Sequence, residues 1–152
     1  MSAIPIFKIK TMKILKVIVP ILFLALISYS CEETRRALDT GSRIELNGAY
    51  DVTLVDGENM RGNNQTINFN GLSRSVNGFA GCNNYNADFT VNNLQLSIGE
   101  IAVTRKSCPN LDIENQFLAA LKKVTRYSKT DNTLTLTDAE SNVVIVANAQ
   151  TE

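Results

Sequence analysis

The strongest constraint on this chain is a two-residue alternation of apolar and polar side chains, cut at short intervals by turn-forming dipeptides. Tyr50, Val52 and Leu54 alternate with polar neighbours and stop at Asp56-Gly57. Ile67 and Phe69 do the same and run into Asn70-Gly71. That pair tolerates positive φ at both central positions of a type I′ hairpin turn, so a return strand is expected from Leu72 through Val76 towards Phe79. Tyr85, Ala87, Phe89 and Val91, then Asn92-Asn93, then Leu94, Leu96 and Ile98 form a second hairpin pattern. Ile101 and Val103 add a strand opened by Gly99. A period of two gives each segment one face to bury and one to leave in water.

The period changes once. After Pro109 the apolar residues fall at Ile113, Phe117, Leu118, Leu121 and Val124, which is helical spacing. Asn110 or Asp112 can cap the start. Asp112 and Glu114 suit the positive end of the helix dipole, and Lys122, Lys123 and Arg126 the negative end. Arg126 to Thr130 and Thr133 to Thr137, joined by Asp131-Asn132, make a third hairpin. A turn at Asp138 to Ser141 leads into Val143 to Ala147, an apolar run suited to a buried strand. The expected fold is α+β: a mostly antiparallel curled sheet or open barrel of about 8 strands with one packed α-helix.

The front of the chain has a different composition. Residues 1–30 carry Lys8, Lys10, Lys13 and Lys16, no acidic residue, and the apolar run Val17 to Tyr29 interrupted only by Pro20 and Ser28. A basic head followed by such a run is a secretory signal peptide in physical terms, and it is short against the roughly 20 residues of a spanning helix. Met12-Lys13 would open a more typical signal, which makes Met12 an alternative start. Ile27-Ser28-Tyr29-Ser30-Cys31 resembles the lipobox of bacterial lipoproteins, although Tyr29 is bulky and Ser28 stands where leucine is commonest. By that resemblance Cys31 becomes a lipid-bearing N-terminus. The expected parts are then a signal peptide over 1–30, a lipidated flexible tether over 31–45 and a domain over 46–148. Glu32 and Glu33 loosely resemble a surface-display signal, with a plain solvated linker as the alternative; the lipid anchor sets the expected location as the cell envelope, on the outer membrane, at its periplasmic or exposed face.

Charge and missing residue types exclude several functions. Removing residues 1–30 takes four of the 15 basic residues and none of the 15 acidic ones, leaving about −4. That disfavours nucleic acid as a partner. The chain has no histidine, so the commonest general base and metal ligand are absent and no Ser/His pair is possible. No Ser-x-x-Lys occurs after residue 30, and Asp88, Glu100, Asp112 and Glu114 fall where solvation or capping explains them. No cofactor, metal ligand set or catalytic residue is expected, and the chain is expected to be a monomer. Asn83-Asn84-Tyr85-Asn86 could form a sugar- or calcium-binding loop, although such runs more often satisfy loop backbone. Cys82 and Cys108 remain after Cys31 is set aside. In an exported protein such a pair favours a disulfide, with free buried thiols and a redox pair flanked by Arg105 and Lys106 as alternatives.

Three motifs carry a family resemblance. Phe79-Ala80-Gly81-Cys82-Asn83-Asn84-Tyr85, Ile101 through Thr104-Arg105-Lys106-Ser107-Cys108-Pro109, and Glu114 through Phe117-Leu118 to Leu121 look like the META-domain family, the HslJ-like heat-shock envelope lipoproteins. Leu134 to Thr137 continues the match, which spans roughly Leu46 to Ala147. Tyr50 stands where the family carries tryptophan, a departure that keeps an aromatic but not an indole N–H. The resemblance implies a small β-rich domain with a packed helix, linked to stress or antibiotic tolerance and without agreed catalytic residues. It implies that Gly78 and Gly81 permit backbone turns and that Cys82 and Cys108 pair. The expected function is a non-catalytic interaction or stability module. The alternative is a small-ligand or glycan-binding lipoprotein using the open end of the sheet and the Asn83–Asn86 loop.

Overall fold

The structure, a computed structural model, describes residues 45–109 and 111–150. The signal peptide, Cys31 and nearly all of the tether lie outside the described residues, as does the capping candidate Asn110. In chain order the elements are β1 (Gly48–Val55), β2 (Glu58–Asn59), β3 (Thr66–Asn70), β4 (Ser75–Phe79), β5 (Asn84–Asn92), β6 (Gln95–Ile98), β7 (Ala102–Val103), α1 (Leu111–Lys123), β8 (Arg126–Thr130), β9 (Thr133–Thr137) and β10 (Val143–Ala149).

Eight strands run in the order β10-β9-β8-β6-β5-β4-β3-β1, and β1 pairs again with β10. The sheet is therefore a closed antiparallel barrel, where the sequence left the ring open. β2 folds back on the end of β1, and β7 continues the line of β6 along β5. Closure is firm between β1 and β10, which pair from Tyr50↔Ala149 to Val55↔Ile145. It is thinnest between β6 and β8, joined at Gln95↔Arg126 and by backbone bonds from Leu96 N to Thr125 O and Tyr127 N to Leu94 O.

Inward side chains from the alternating strands fill the barrel. Tyr50, Ile67, Phe69, Phe89, Leu96, Leu134, Leu136 and Ile145 are all within 1% of complete burial. Phe69 meets Tyr50 and Phe89 edge-on, at 6.5 and 5.2 Å between ring centroids, the geometry that aromatic quadrupoles favour. One end is closed by α1, which sets Phe117 edge-on against Tyr85 at 5.6 Å and buries Ala120 and Leu121. At the other end Leu46 is fully buried and its carbonyl accepts the Tyr50 hydroxyl at 3.1 Å. Tyr50 thus keeps the core aromatic role and has a polar partner of its own.

Three details depart from the alternation. A bulge between Val52 and Leu54 buries both Val52 and Thr53, which turns Leu54 out to 37% exposure and Val55 inward. One extra residue reverses every face beyond it. The positive-φ pair of a type I′ turn occurs at Asp56-Gly57 (φ 46° and 83°) and not at Asn70-Gly71. There a four-residue loop, with Arg74 at φ 55°, precedes the return strand, which starts at Ser75 and leaves Leu72 in the loop. Asn70 Oδ1 instead accepts the backbone N–H groups of Leu72 and Ser73. Asp112 lies inside the first turn of α1 and is not its cap.

Candidate functional site

The three signature motifs converge beside the N-terminal turn of α1. After β4 the chain turns tightly at residues 80–83, where Ala80 N donates to Asn83 O at 2.8 Å. Gly81 takes φ 112° in this turn, a conformation that L side chains rarely adopt. Asn83 is thereby carried inward and is 2% exposed. β7 then delivers residues 104–108 to the same place, and a disulfide joins Cys82 to Cys108 with 6.1 Å between Cα atoms. The bond ties the 80–83 turn to the segment leading into the helix.

Asn83 is the hub. Its backbone N–H donates to Glu114 Oε2 at 2.6 Å and its Nδ2 to Glu114 Oε1 at 3.0 Å. Nδ2 also donates to the Lys106 carbonyl at 3.3 Å. Its Oδ1 accepts from the Thr104 hydroxyl at 2.9 Å and from Lys106 N at 2.7 Å. Thr104 Oγ1 in turn accepts from Asn84 N. Glu114 is 4% exposed, which corrects the expectation that solvation or capping explains it. Both of its oxygens are met by Asn83 donors, and it sits in the helix's first turns, where the dipole favours a negative charge.

The rest of the Asn-rich stretch does not converge on this point. Asn84 and Asn86 lie on the exposed face of β5, while Tyr85 points into the barrel. The Tyr85 hydroxyl donates to Thr66 O at 3.0 Å, and burial pushes its pKa far above the usual phenol range. Gly78, expected to permit a turn, is in the middle of β4 and opposes Tyr85. Its need is closeness, because a Cβ there would fall inside van der Waals contact of the Thr66 carbonyl. Gln65 escaped the sequence reading altogether. It is 1% exposed and Nε2 donates to Ala80 O and Ile113 O, while Oε1 has no protein donor.

A broad groove of about 740 Å³ runs alongside this hub, between residues 101–107 and α1. Ile101, Val103, Leu111 and Leu118 give it apolar patches, and Lys106 and Asn115 give it polar ones. The other edge of β7 pairs with no strand among the described residues. Also among the described residues, no three His, Cys, Asp or Glu side chains are grouped so that they could hold a metal ion. Chemically, the hub can fix backbone and exclude water; its carboxylate and amide are occupied with each other.

Solved structures resemble this fold at low identity. A protein from Burkholderia xenovorans, solved by NMR, matches with a TM-score of 0.59 and 21% identity, over 74% of this chain and 89% of that one. A second NMR structure matches at 0.54 and 23%, over 68% and 90%. A DUF4847 family protein from Bacteroides vulgatus ATCC 8482 matches at 0.56 and 14%, over 70% and 95%. No curated protein matches the chain. The sequence model of the META domain matches residues 43–151, which contain the whole barrel, the helix and the hub, and the chain therefore belongs to the META-domain family.

Proposed function

We propose that this chain is an envelope lipoprotein held to a membrane through Cys31, and that its META domain is a non-catalytic interaction or stability module serving envelope stress or antibiotic tolerance. The observation that carries the non-catalytic reading is the closed economy of the hub. Asn83, Thr104 and Glu114 bind one another and nearby backbone, so the most distinctive residues hold structure together. The lipobox-like run before Cys31 and the lack of histidine support the rest. Incubating the purified domain with hydrolase, transferase and thiol-exchange substrates tests it. No turnover is expected. Turnover abolished by changing one groove residue would overturn the reading.

The groove favours a second reading, a small-ligand or glycan-binding lipoprotein. Of the binding place first expected, the end of the sheet lies under α1 and Asn83 is held by its own bonds, while Asn84 and Asn86 stay exposed on β5. The 740 Å³ groove beside the hub offers it a place. Thermal-shift screening against envelope glycans, lipids and hydrophobic antibiotics separates the two readings. A shift lost in Leu118→Asp would favour binding.

A further inference from the structure

In an antiparallel barrel the hairpin turns alternate between ends. The β3–β4, β5–β6 and β8–β9 turns share one end with the start of β1, and α1 covers the other. Bonds knit that first end together. Gly71 N donates to Asn47 Oδ1, Ala149 N to Asn132 O, and Lys129 Nζ to Glu45 O. The two most exposed large apolar side chains of the described residues are both on it. Leu72 in the β3–β4 loop is 98% exposed and Leu94 in the β5–β6 turn is 57% exposed. Leu54, Leu111 and Val143 are exposed by less, and none is at a tip of this end. The chain also arrives here from Cys31, through fourteen residues that reach at most roughly 50 Å when fully extended.

We infer that this end of the barrel rests on the bilayer, with Leu72 and Leu94 dipping into the boundary between headgroups and acyl chains. The inference rests on the lipid-anchor reading. A lipid on Cys31 holds the chain to the membrane without fixing which face of the domain meets it, and the two exposed leucines supply a second contact that does. The tether is long enough to allow other faces; the leucines select this one. Arg74 and Lys129 are balanced by Glu45 and Asp131, so charge at this end is near neutral. Apolar insertion holds the contact, and it depends little on salt or on anionic lipid.

The chain contains no tryptophan, so one introduced tryptophan reports one place. Leu72→Trp, Leu94→Trp and, at the opposite end in the β9–β10 turn, Ala139→Trp are made in the full lipid-modified chain. Each is mixed with phosphatidylethanolamine–phosphatidylglycerol vesicles containing an acyl-brominated lipid. The tryptophans at 72 and 94 are expected to lose roughly half or more of their emission and to shift to the blue, at low and high salt alike, while the one at 139 is unchanged. Equal quenching at all three positions, or none while the protein floats with the vesicles, overturns the inference and leaves the anchor intact. Failure to float overturns the anchor reading and this inference with it. To test a second copy as the occupant, the soluble Cys31→Ser chain is sized by light scattering. A dimer abolished by Leu72→Ser with Leu94→Ser would assign the leucines to self-association instead; a monomer supports the bilayer.

Discussion

At the residue scale, Asn83 and Glu114 show how a polar pair can be buried when its members satisfy each other. Each donor of the asparagine meets an acceptor, and each oxygen of the carboxylate meets a donor. Asn83→Asp would replace the Nδ2 donor with a second carboxylate oxygen facing Glu114. Two carboxylates at that distance raise the pKa of one of them in the folded state above its unfolded value. The folding penalty is thus full at pH 7 and shrinks as pH falls through the raised folded value. Urea melts of the variant at pH 7 and pH 4 are expected to show it closer to the parent at pH 4; an equal gap at both would reject the pairing. The ordinary Asp138 has the opposite sign. Its Asn142 hydrogen bond, chiefly from the side chain, holds its carboxyl below the usual range, so what it adds to stability is lost as pH falls through that value. The Asn83 hub was half legible from the sequence. Gly-Cys-Asn and Thr-Arg-x-x-Cys announced themselves as motifs, but no local pattern says that Glu114, thirty-one residues away, is the partner.

At the scale of elements, alternation predicted which segments pair and failed where a single residue interrupts the count. The bulge in β1 is the clearest case. Tyr50 and Val52 point inward as the period requires, and then Thr53 is inserted and Val55 replaces Leu54 inside. Nothing in the local composition marks the insertion, because Leu54 is as apolar as Val55 and only pairing with β10 fixes the register. Leu54→Asn is expected to change stability by under about 0.5 kcal/mol, whereas Val55→Asn should cost about 3 kcal/mol or more. Similar losses in thermal melts would place Leu54 in the core and remove the bulge. β4 carries a companion prediction. Gly78→Ala drives a methyl into the Thr66 carbonyl, a backbone group that cannot swing aside, and should cost about 3 kcal/mol. Gly57→Ala, whose Cβ would meet open space, tests strain alone and should cost less, about 1 kcal/mol.

At the scale of the whole molecule, the helix and the disulfide act on the same corner. The barrel closes firmly at β1–β10 and thinly at β6–β8, and the segment that bridges the thin side is residues 99–125, which includes β7 and α1. The closed ring could not be read from the sequence, since β1 and β10 lie at opposite ends of the domain and either could have remained an edge. The Cys82–Cys108 bond fastens that bridging segment, just ahead of α1, to the turn before β5, closing a loop of 26 residues' separation. On the loop-entropy account such a crosslink is worth about 3–4 kcal/mol. Cys82→Ser with Cys108→Ser should therefore still fold, because the core aromatics and the Asn83–Glu114 bonds remain, but melt with a loss near that size. Hydrogen exchange gives the sharper readout. Protection should fall first in α1 and the 101–109 segment, while β1 and β10 keep theirs, since their pairing does not pass through the crosslink. A uniform loss across the barrel would mean that the bond acts only by constraining the unfolded chain and that the thin seam opens only with the whole domain. Intact mass with and without reductant fixes the starting point, with a gain of two hydrogens expected on reduction.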